Sequence, residues 1–402
     1  MENLDYYKSL GINTKSKGFE RYSKAGLLEQ IDENYVKEIQ DYWLSNYGKE
    51  IDPLLHIAFQ NLTGKKEEKI VPSKQLWNEF IPYFNDMNIR VGYSDKNIYD
   101  KLISTSKKVG AIIKRIRGYY YDSQNNPLQP DEVIPIIENM KEDLIIKKSN
   151  ADNGIGISKL TYKEGKYYFQ DEVISLDKFE KAFGYDFMIQ EAIKQHEITA
   201  RPHPSSVNTL RMVTLRWKNE IHFLLAYAKI GTNNDVRDNS GAGGIRVGIK
   251  DNGEFRDFAI NKNLEVLDEH PSTGFKFSEM GSLPKYNQYI DFVKELHKDV
   301  LHHDFVSWDI IITEDEEPLF LEMNFRGATW MYQLVSQKPI FGELTDEITQ
   351  HVSKERAKKK NRNSSSALSK LQSEHRKIKS ENNKLKEEVT RLNNIVNDLS
   401  ET

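Results

Sequence analysis

The 402-residue chain is long enough for about two or three domains and for a large buried core. It contains no cysteine, which excludes disulfides and thiolate metal sites and favours a cytoplasmic location. A net charge of −4 gives no reason to expect nucleic acid as a partner. No apolar run of about 18 residues predicts a membrane span, and the polar first residues lack a signal-peptide core.

The first part of the chain, residues 1–105, is predicted to be mostly helical. Apolar and aromatic side chains recur there at helical spacing, as in Ile39 and Trp43 and again in Phe80 and Tyr83. Because the spacing already accounts for these aromatic residues, we expect them in a core rather than on a ligand-binding surface.

From about residue 108 the pattern changes to strand-like runs. One buried-type strand ends in Lys147 and Lys148 and continues into a small, polar, glycine-bearing loop. Glycines let successive backbone N–H groups point at a phosphate, and a lysine adds a positive charge. A glycine-rich hairpin turn with incidental lysines fits the same residues, and the GxxxxGK[ST] pattern of a Walker P-loop is absent.

Two later strands also carry polar residues. Residues 187–193 form an apolar run with a polar end, which could offer backbone groups to a purine edge. Arg211 interrupts the apolar strand over residues 207–215. A buried arginine costs several kcal/mol unless it is paired, so Arg211 is expected to meet either a carboxylate or a substrate phosphate.

The stretch 306–324 is predicted to be a β-hairpin, because two apolar runs flank the charged turn 314–317. Asp309 interrupts the first run, and Glu322 and Asn324 interrupt the second. Residues two apart leave the same face of a strand, so three oxygen-bearing side chains converge if Asp309 lies opposite. Such hard ligands suit Mg²⁺, which takes its other ligands from water and substrate phosphates. Two strands with polar residues facing solvent are the alternative.

The end of the chain is predicted to be a basic, serine-containing linker over residues 351–366 and a coiled coil over residues 367–402. One seam position repeats every seven residues as Leu371, Ile378, Leu385, Leu392 and Leu399, and the other as Leu368, His375, Asn382, Val389 and Val396. Asn382 within such a seam is typical of a parallel two-stranded coiled coil. We therefore expect a homodimer or another bound partner.

Taken in this order, the motifs resemble the ATP-grasp superfamily, and most closely its sugar-transfer-associated family. The resemblance covers about residues 30–345. It is carried by Asp95-Lys96-Asn97-Ile98-Tyr99, Ser206-Val207-Asn208-Thr209-Leu210-Arg211, Ser307-Trp308-Asp309 and Leu321-Glu322-Met323-Asn324.

The resemblance implies an α+β protein with the ATP-grasp fold, in which two α+β lobes grip ATP. A catalytic domain over residues 106–350 would follow the helical region. Its nucleotide lobe would span residues 106–190 and its magnesium-binding lobe residues 191–350. The implied cofactors are ATP and Mg²⁺.

The resemblance also implies a role for individual residues. The nucleotide would be contacted by Lys147, Lys148, Asn153, Gly154, Gly156, Gln190, Glu191, Ala192 and Ile193. The family usually has proline where Lys148 stands, so both lysines are candidates for phosphate. Asp309, Glu322 and Asn324 would bind magnesium. Arg211 would stabilise the transferred phosphoryl group, with Asn208 and Arg326 as further catalytic residues.

The implied activity is that of a carboxylate–amine ligase that acts through an acyl phosphate. Its substrate would be a small molecule or glycan, such as a capsule or other surface polysaccharide, or its sugar precursor, which receives an amino acid or amine. Positioning and charge neutralisation would then matter more than a nucleophilic side chain. The alternatives are a kinase that phosphorylates a sugar hydroxyl and a non-catalytic scaffold of a glycan-synthesis complex.

Overall fold

The computed structural model describes residues 4–151, 156–233, 243–326 and 329–400. In the last helix, side-chain surroundings are described for residues 345–359 and 370–392. The chain forms two compact units. The first unit contains Met1–Ser45 and Lys49–Thr345, and the second contains Asn46–Gly48 and Asp346–Thr402. The predicted helical region and the predicted catalytic region therefore share one unit.

The N-terminal part of the chain is helical. Its helices are α1 (Leu4–Ser9), α2 (Lys17–Lys24), α3 (Glu33–Tyr47), α4 (Leu54–Thr63), α5 (Ser73–Gln75), α6 (Ile81–Phe84), α7 (Arg90–Ser94) and α8 (Tyr99–Leu102). Ile39 and Trp43 on α3 are fully buried, so these side chains belong to a core as expected. Ser16 caps α2 by accepting a hydrogen bond from the Phe19 backbone N–H.

The expectation that Tyr83 lies in the core with Phe80 is wrong. Phe80 is fully buried, but Tyr83 is 40% exposed. The chain forms a π-helical turn over Leu76–Phe80 and continues as α6. After Phe80 the helix buries Ile81 and Phe84, and these side chains define a face from which Tyr83 points away.

The first sheet has eight strands, in the order β3-β2-β1-β8-β4-β5-β6-β7. The strands are β1 (Ala111–Ile116), β2 (Tyr119–Tyr121), β3 (Pro127–Leu128), β4 (Leu144–Lys148), β5 (Ile157–Lys163), β6 (Lys166–Phe169), β7 (Glu172–Val173) and β8 (Phe187–Glu191). Helices α9 (Pro130–Glu138) and α10 (Leu176–Phe183) bury their apolar side chains in the core of this sheet. Its other face carries Lys147, Met188 and Gln190.

The second sheet follows the short helix α11 (Glu197–Ala200) and has the order β13-β12-β11-β10-β9-β14-β15. Its strands are β9 (Thr209–Trp217), β10 (Glu220–Ile230), β11 (Ile245–Ile249), β12 (Phe255–Ile260), β13 (Val266–Leu267), β14 (Phe305–Ile312) and β15 (Pro318–Asn324). Helix α12 (Tyr286–Lys298) packs its apolar stripe into the core on one face. Helix α13 (Tyr332–Ser336) packs near β10 and β11.

The second unit is dominated by the long helix α14 (Thr345–Ser400). The helix continues through residues 351–366, where the sequence predicted a linker. Near its start, Gln350 donates a side-chain hydrogen bond to Asn46 at 2.9 Å, and the Ser353 hydroxyl donates one to the Tyr47 carbonyl at 2.7 Å. Among the residues that the structure describes, no helix combines the length and hydropathy that a membrane crossing requires.

Candidate functional site

A row of charged residues crosses three neighbouring strands of the second sheet. Asp309 on β14 lies directly opposite Arg211 on β9 and Glu322 on β15. Directly opposite residues project from the same face of a sheet. Met212 and Trp308, one position along their strands, turn to the other face and are fully buried in the apolar core. The structure confirms the predicted hairpin and brings the two predicted carboxylates side by side.

Asp309 is held by two cations from within the sheet. Arg211 Nε and Nη2 donate to the two Asp309 carboxylate oxygens at 2.5 and 2.9 Å, a bidentate pair. Lys229 Nζ approaches Asp309 Oδ2 at 3.3 Å. The Asp309 side chain is only 1% exposed, so this pairing satisfies charges that would be costly to bury alone. The sequence left two possible partners for Arg211, a carboxylate and a substrate phosphate. In the structure its partner is the carboxylate of Asp309.

Glu322 is closer to solvent and meets a cation from a different part of the chain. Lys96, which follows the cap residue Asp95, lies 3.5 Å from Glu322 Oε2. The Lys96 ammonium also donates to the Ala151 carbonyl at 3.0 Å, three residues past the end of β4, the strand that carries Lys147 and Lys148. The Asn324 amide donates to Glu322 Oε1 at 3.3 Å. Lys96 therefore connects the candidate magnesium residues to the first sheet.

The two carboxylates differ in their proton affinity. Burial raises the pKa of Asp309, and Arg211 and Lys229 act against that rise. Burial acts on Glu322 in the same direction, but Lys96 and Lys229 outweigh it and hold the pKa of Glu322 below its usual range. Glu322 therefore stays ionised at neutral pH, which a metal ligand requires.

The donor set fits magnesium that arrives together with phosphate. Asp309, Glu322 and Asn324 supply oxygen atoms from adjacent strands. Among the described residues no cluster of three or more acidic, histidine or cysteine side chains could hold an ion by itself. Mg²⁺ is usually bound through one or two carboxylates, with waters and substrate phosphates as its other ligands.

The first sheet contributes Lys147 to the same region. Its side chain lies on the face that carries Met188, and only 5% of the residue is exposed. Burial lowers the pKa of Lys147, and the nearby Lys96 lowers it further, to about 7. Lys147 lines the cavity between the two sheets, whereas Lys148 is absent from its lining. The geometry therefore favours Lys147 over Lys148 as the phosphate contact.

The loop after Lys148 is only partly described. Gly156 has φ +72°, and its carbonyl accepts a hydrogen bond from the Lys148 N–H at 3.0 Å. A Cβ at this position would lie 2.9 Å from Lys148 Cγ, so both the backbone angle and the space favour glycine. The predicted residues Asn153 and Gly154 lie outside the described residues.

A cavity of about 180 Å³ separates the two sheets near Gln190. Gln190, Met188 and Lys147 line it from the first sheet, and Phe320 and Leu321 line it from β15. Typical small-molecule sites have about 300–1,000 Å³, so this cavity suits part of a nucleotide, such as its base.

The remaining predicted hinge residues lie at the end of β8. Glu191 is exposed, and Ala192 and Ile193 are half-buried. The Ala192 N–H donates to the Asp143 carbonyl at 3.3 Å. Unlike Gln190, none of these three residues is in the lining of the cavity between the sheets.

Asn208 has a structural environment. Its amide nitrogen donates to the Thr199 and His203 carbonyls at 2.7 and 2.9 Å. Its amide oxygen accepts from the Ser206 hydroxyl at 2.6 Å and from the Gly231 N–H at 3.0 Å. All four hydrogen-bonding positions of this amide are used within the protein. Asn208 therefore holds the segment before β9 in place, next to the strand that carries Arg211.

Arg326 lies two residues past Asn324 and stacks on an aromatic ring. Its guanidinium carbon is 3.9 Å from the centroid of Trp77, whose side chain is 38% exposed. Stacking of this kind fixes the plane of the guanidinium. Its Nε is buried and has no hydrogen-bond partner among the described residues.

Several residues of the site were not predicted as site residues. The sequence patterns indicate Lys96 only as part of a motif. They do not indicate Lys229, Tyr332 or Lys114. Lys229 interrupts an apolar strand as Arg211 does, so the same argument about buried charge could have found it. Tyr332 accepts from Arg211 Nη1 at 3.2 Å, a contact for which the sequence carries no pattern.

Lys114 belongs to the face of the first sheet that lines the cavity. It lies opposite Met188 on the neighbouring strand. Its ammonium donates to Asn125 Oδ1 at 2.7 Å and lies 3.0 Å from Asp100 Oδ1. These contacts fix a second positive charge at the wall of the cavity.

Comparison with known proteins agrees with this architecture. The family model described as sugar-transfer associated ATP-grasp matches residues 75–350, so the chain belongs to that family. The predicted family and the predicted ATP-grasp fold are confirmed. No curated protein sequence matches the chain.

Solved structures similar to the chain include three of different function. The ATP-grasp ligase PsnB with a minimal precursor is 12% identical, with a TM-score of 0.37 over 66% of this chain and 62% of that chain. The biotin carboxylase domain of Hydrogenobacter thermophilus 2-oxoglutarate carboxylase, with MgADP, is 13% identical, with a TM-score of 0.38 over 66% of this chain and 46% of that chain. The D-alanine–D-alanine ligase of Coxiella burnetii is 9% identical, with a TM-score of 0.37 over 68% and 62%. The chain thus spans less than two thirds of each of them.

Proposed function

We propose that this chain is an ATP- and Mg²⁺-dependent carboxylate–amine ligase. The observation that carries the proposal is the row Arg211, Asp309 and Glu322, which faces the same region as the buried Lys147. The two carboxylates suit the metal that accompanies a triphosphate. The fixed cations suit the triphosphate and a second anionic substrate better than they suit a neutral substrate. Family membership supports the use of ATP.

Each residue has a distinct task in this proposal. Asp309, Glu322 and Asn324 would hold magnesium, and the ion would supply positive charge that neutralises the phosphates. Lys147 and Lys96 would contact the phosphates from the other side. Arg211 holds the Asp309 side chain in a fixed orientation through its bidentate contact.

The reaction has two steps that balance in atoms and charge. A carboxylate oxygen of the substrate attacks the γ-phosphorus of ATP, the bond to the β-phosphate oxygen breaks, and ADP leaves. The amine then attacks the acyl carbon, the bond to the phosphate oxygen breaks, and the leaving phosphate takes up the proton that the nitrogen loses as the amide forms. The fixed cations would stabilise the phosphoryl group during its transfer.

The substrate would be a carboxylate of a surface polysaccharide, such as a capsule, or of its sugar precursor. The description of the family as sugar-transfer associated supports a glycan. We propose a cytoplasmic location, where ATP is available, and association of the chain through residues 367–402.

The test is a coupled assay with ATP, magnesium, uronic acids and a panel of amines. A ligase releases ADP and phosphate only when both the acid and the amine are present, and the product gains an amide bond detectable by mass. A product that carries phosphate instead would show a sugar kinase. Absence of ATP turnover with all acceptors, in a protein that still binds the nucleotide, would favour a scaffold.

A further inference from the structure

Helix α14 carries a row of exposed apolar side chains at seven-residue spacing. Among the described residues of this row, Leu371, Ile378, Leu385, Val389 and Leu392 are between 51% and 63% exposed. Isolated surface leucines are ordinary, but a regular seam over several helical turns is typical of a helix with a partner.

The charges beside the seam show what kind of partner fits. With Asn382 at heptad position a and Leu385 at d, Glu374 and Glu381 occupy g positions. Five residues further along the chain, Lys379 and Lys386 occupy the following e positions. The described part of the chain shows no ion pair for any of these four side chains.

We infer that α14 pairs with α14 of a second copy of this chain, as a parallel coiled coil in register. In a parallel pair, each g residue lies beside the e residue of the next heptad on the other helix. This geometry places Glu374 beside Lys379 of the second copy, and Glu381 beside Lys386, twice each by symmetry. An antiparallel pair would bring g beside g and e beside e, which opposes like charges.

The seam residues specify two strands rather than three or four. Val389 and Val396 occupy a positions, and Leu385, Leu392 and Leu399 occupy d positions, the combination that favours dimers. Asn382 at a can hydrogen-bond to the same residue of the second copy only when the helices are parallel and in register. A shift by one heptad would separate the two asparagines and place one beside Val389 and the other beside His375. The asparagine that meets Val389 would lose its hydrogen-bond partner against an apolar side chain, which costs free energy.

The first test measures the molar mass of the full chain by analytical ultracentrifugation. The expected value is twice the 46.8 kDa of one chain. Leu385→Lys should halve the measured mass, whereas Glu387→Lys, on the outer face two residues away, should leave it unchanged. All five tryptophans lie in the first unit, so unchanged tryptophan fluorescence shows that this unit stays folded. A monomer or trimer of the unmodified chain would overturn the inference.

The second test exchanges the charges. One variant carries Glu374→Lys and Glu381→Lys, and the other carries Lys379→Glu and Lys386→Glu. Each variant alone should dimerise at least tenfold more weakly, because its g and e residues repel. Mixing the two should restore dimers, now composed of one copy of each. Equal self-association of both variants would show that these charges do not choose the partner.

The third test fixes the orientation and uses the absence of cysteine from the chain. Leu392→Cys should crosslink to itself under mild oxidation, because the two copies of a d residue face each other in a parallel pair. In an antiparallel pair that crosses at Asn382, they would lie about 30 Å apart at 1.5 Å per residue, beyond the reach of a disulfide. Failure to crosslink in a chain that still dimerises would overturn the parallel arrangement. None of these outcomes depends on ligase activity.

Discussion

Asp309 and Glu322 project from the same face of the sheet but have different surroundings. Asp309 is almost completely buried and is held by Arg211 and Lys229, whereas the Glu322 side chain is 27% exposed and has Lys96 as its ion-pair partner. Removal of a charge from the two positions should therefore affect stability to different degrees.

We expect Asp309→Asn to destabilise the protein. The substitution leaves the Arg211 guanidinium and the Lys229 ammonium buried without a carboxylate, and breaking a buried pair in this way costs about 3–5 kcal/mol. Urea denaturation followed by tryptophan fluorescence measures the change. A loss below about 1 kcal/mol would show that the pair is not energetically coupled as its geometry indicates.

Glu322→Gln should remove activity while the fold is retained. The amide keeps the shape of the side chain but loses the charge that a metal ligand needs, so ATP turnover should fall by about 10²- to 10³-fold. Glu314→Gln, in the exposed turn of the same hairpin, is the matched control and should turn over ATP normally. Equal turnover by both variants would remove Glu322 from the metal site.

The lowered pKa of Lys147 predicts that nucleotide binding is accompanied by proton uptake. Its pKa is lowered to about 7 by burial and by Lys96, so at pH 8 the amine is mostly neutral. A bound phosphate stabilises the charged form and raises this pKa, so nucleotide binding at pH 8 should take up close to one proton. At pH 6 the lysine is already charged and the uptake should disappear.

Calorimetric titration in two buffers of different ionisation enthalpy measures this uptake. Lys147→Met should abolish it, whereas Lys148→Met should retain it, because Lys148 does not line the cavity. Retained uptake in the Lys147 variant would assign the proton to another group.

At the scale of elements, β11 and α13 approach each other unusually closely. A Cβ on Gly248 would lie 2.2 Å from the Val335 carbonyl oxygen and 2.9 Å from Arg256 Cδ. Val335 belongs to α13, the helix from which Tyr332 contacts Arg211. The position of α13 therefore affects the position of Arg211, because Tyr332 on this helix contacts that arginine.

Gly248→Ala should destabilise the protein by about 1–3 kcal/mol, because the helix must move to admit the methyl group. It should also lower activity by displacing Tyr332. Gly92→Ala is a suitable control, since nothing lies within 4 Å of the Cβ position in α7. That variant should be neutral or up to about 1 kcal/mol more stable. Thermal unfolding compares the two, and equal melting temperatures would show that α13 accommodates the methyl group.

The sequence predicted those helices and strands in which apolar residues recur at a single helical or strand spacing. The hairpin with Asp309 and Glu322 was found because polar residues interrupt two apolar runs at a strand period. Tyr83 is exposed because α6 buries Ile81 and Phe84 instead, and the spacing from Phe80 does not distinguish the adjacent aromatic residues Tyr83 and Phe84. Lys96 and Tyr332 approach the site from distant parts of the chain, and such contacts depend on tertiary packing that no local period encodes.

Magnesium should stabilise the protein only when a nucleotide is bound with it. Asp309 already has Arg211 and Lys229 as partners, and Glu322 has Lys96, so magnesium alone must compete with internal cations. A phosphate-bearing ligand offers those cations a new partner.

Magnesium alone should therefore leave the melting temperature unchanged. Magnesium with a non-hydrolysable ATP analogue at 100 times its Kd should stabilise the fold by about 2.7 kcal/mol. Differential scanning calorimetry with each ligand alone and with both is the measurement. A large shift with magnesium alone would show an independent metal site.

The charged row has a practical consequence for anyone preparing this protein. Side chains alternate along each strand, so pairing β14 with β9 one position out would turn Asp309 inward and Trp308 outward. A preparation recovered from denaturant with misaligned strands would then contain inactive molecules. The number of active sites titrated per chain should therefore report the yield of correctly refolded protein.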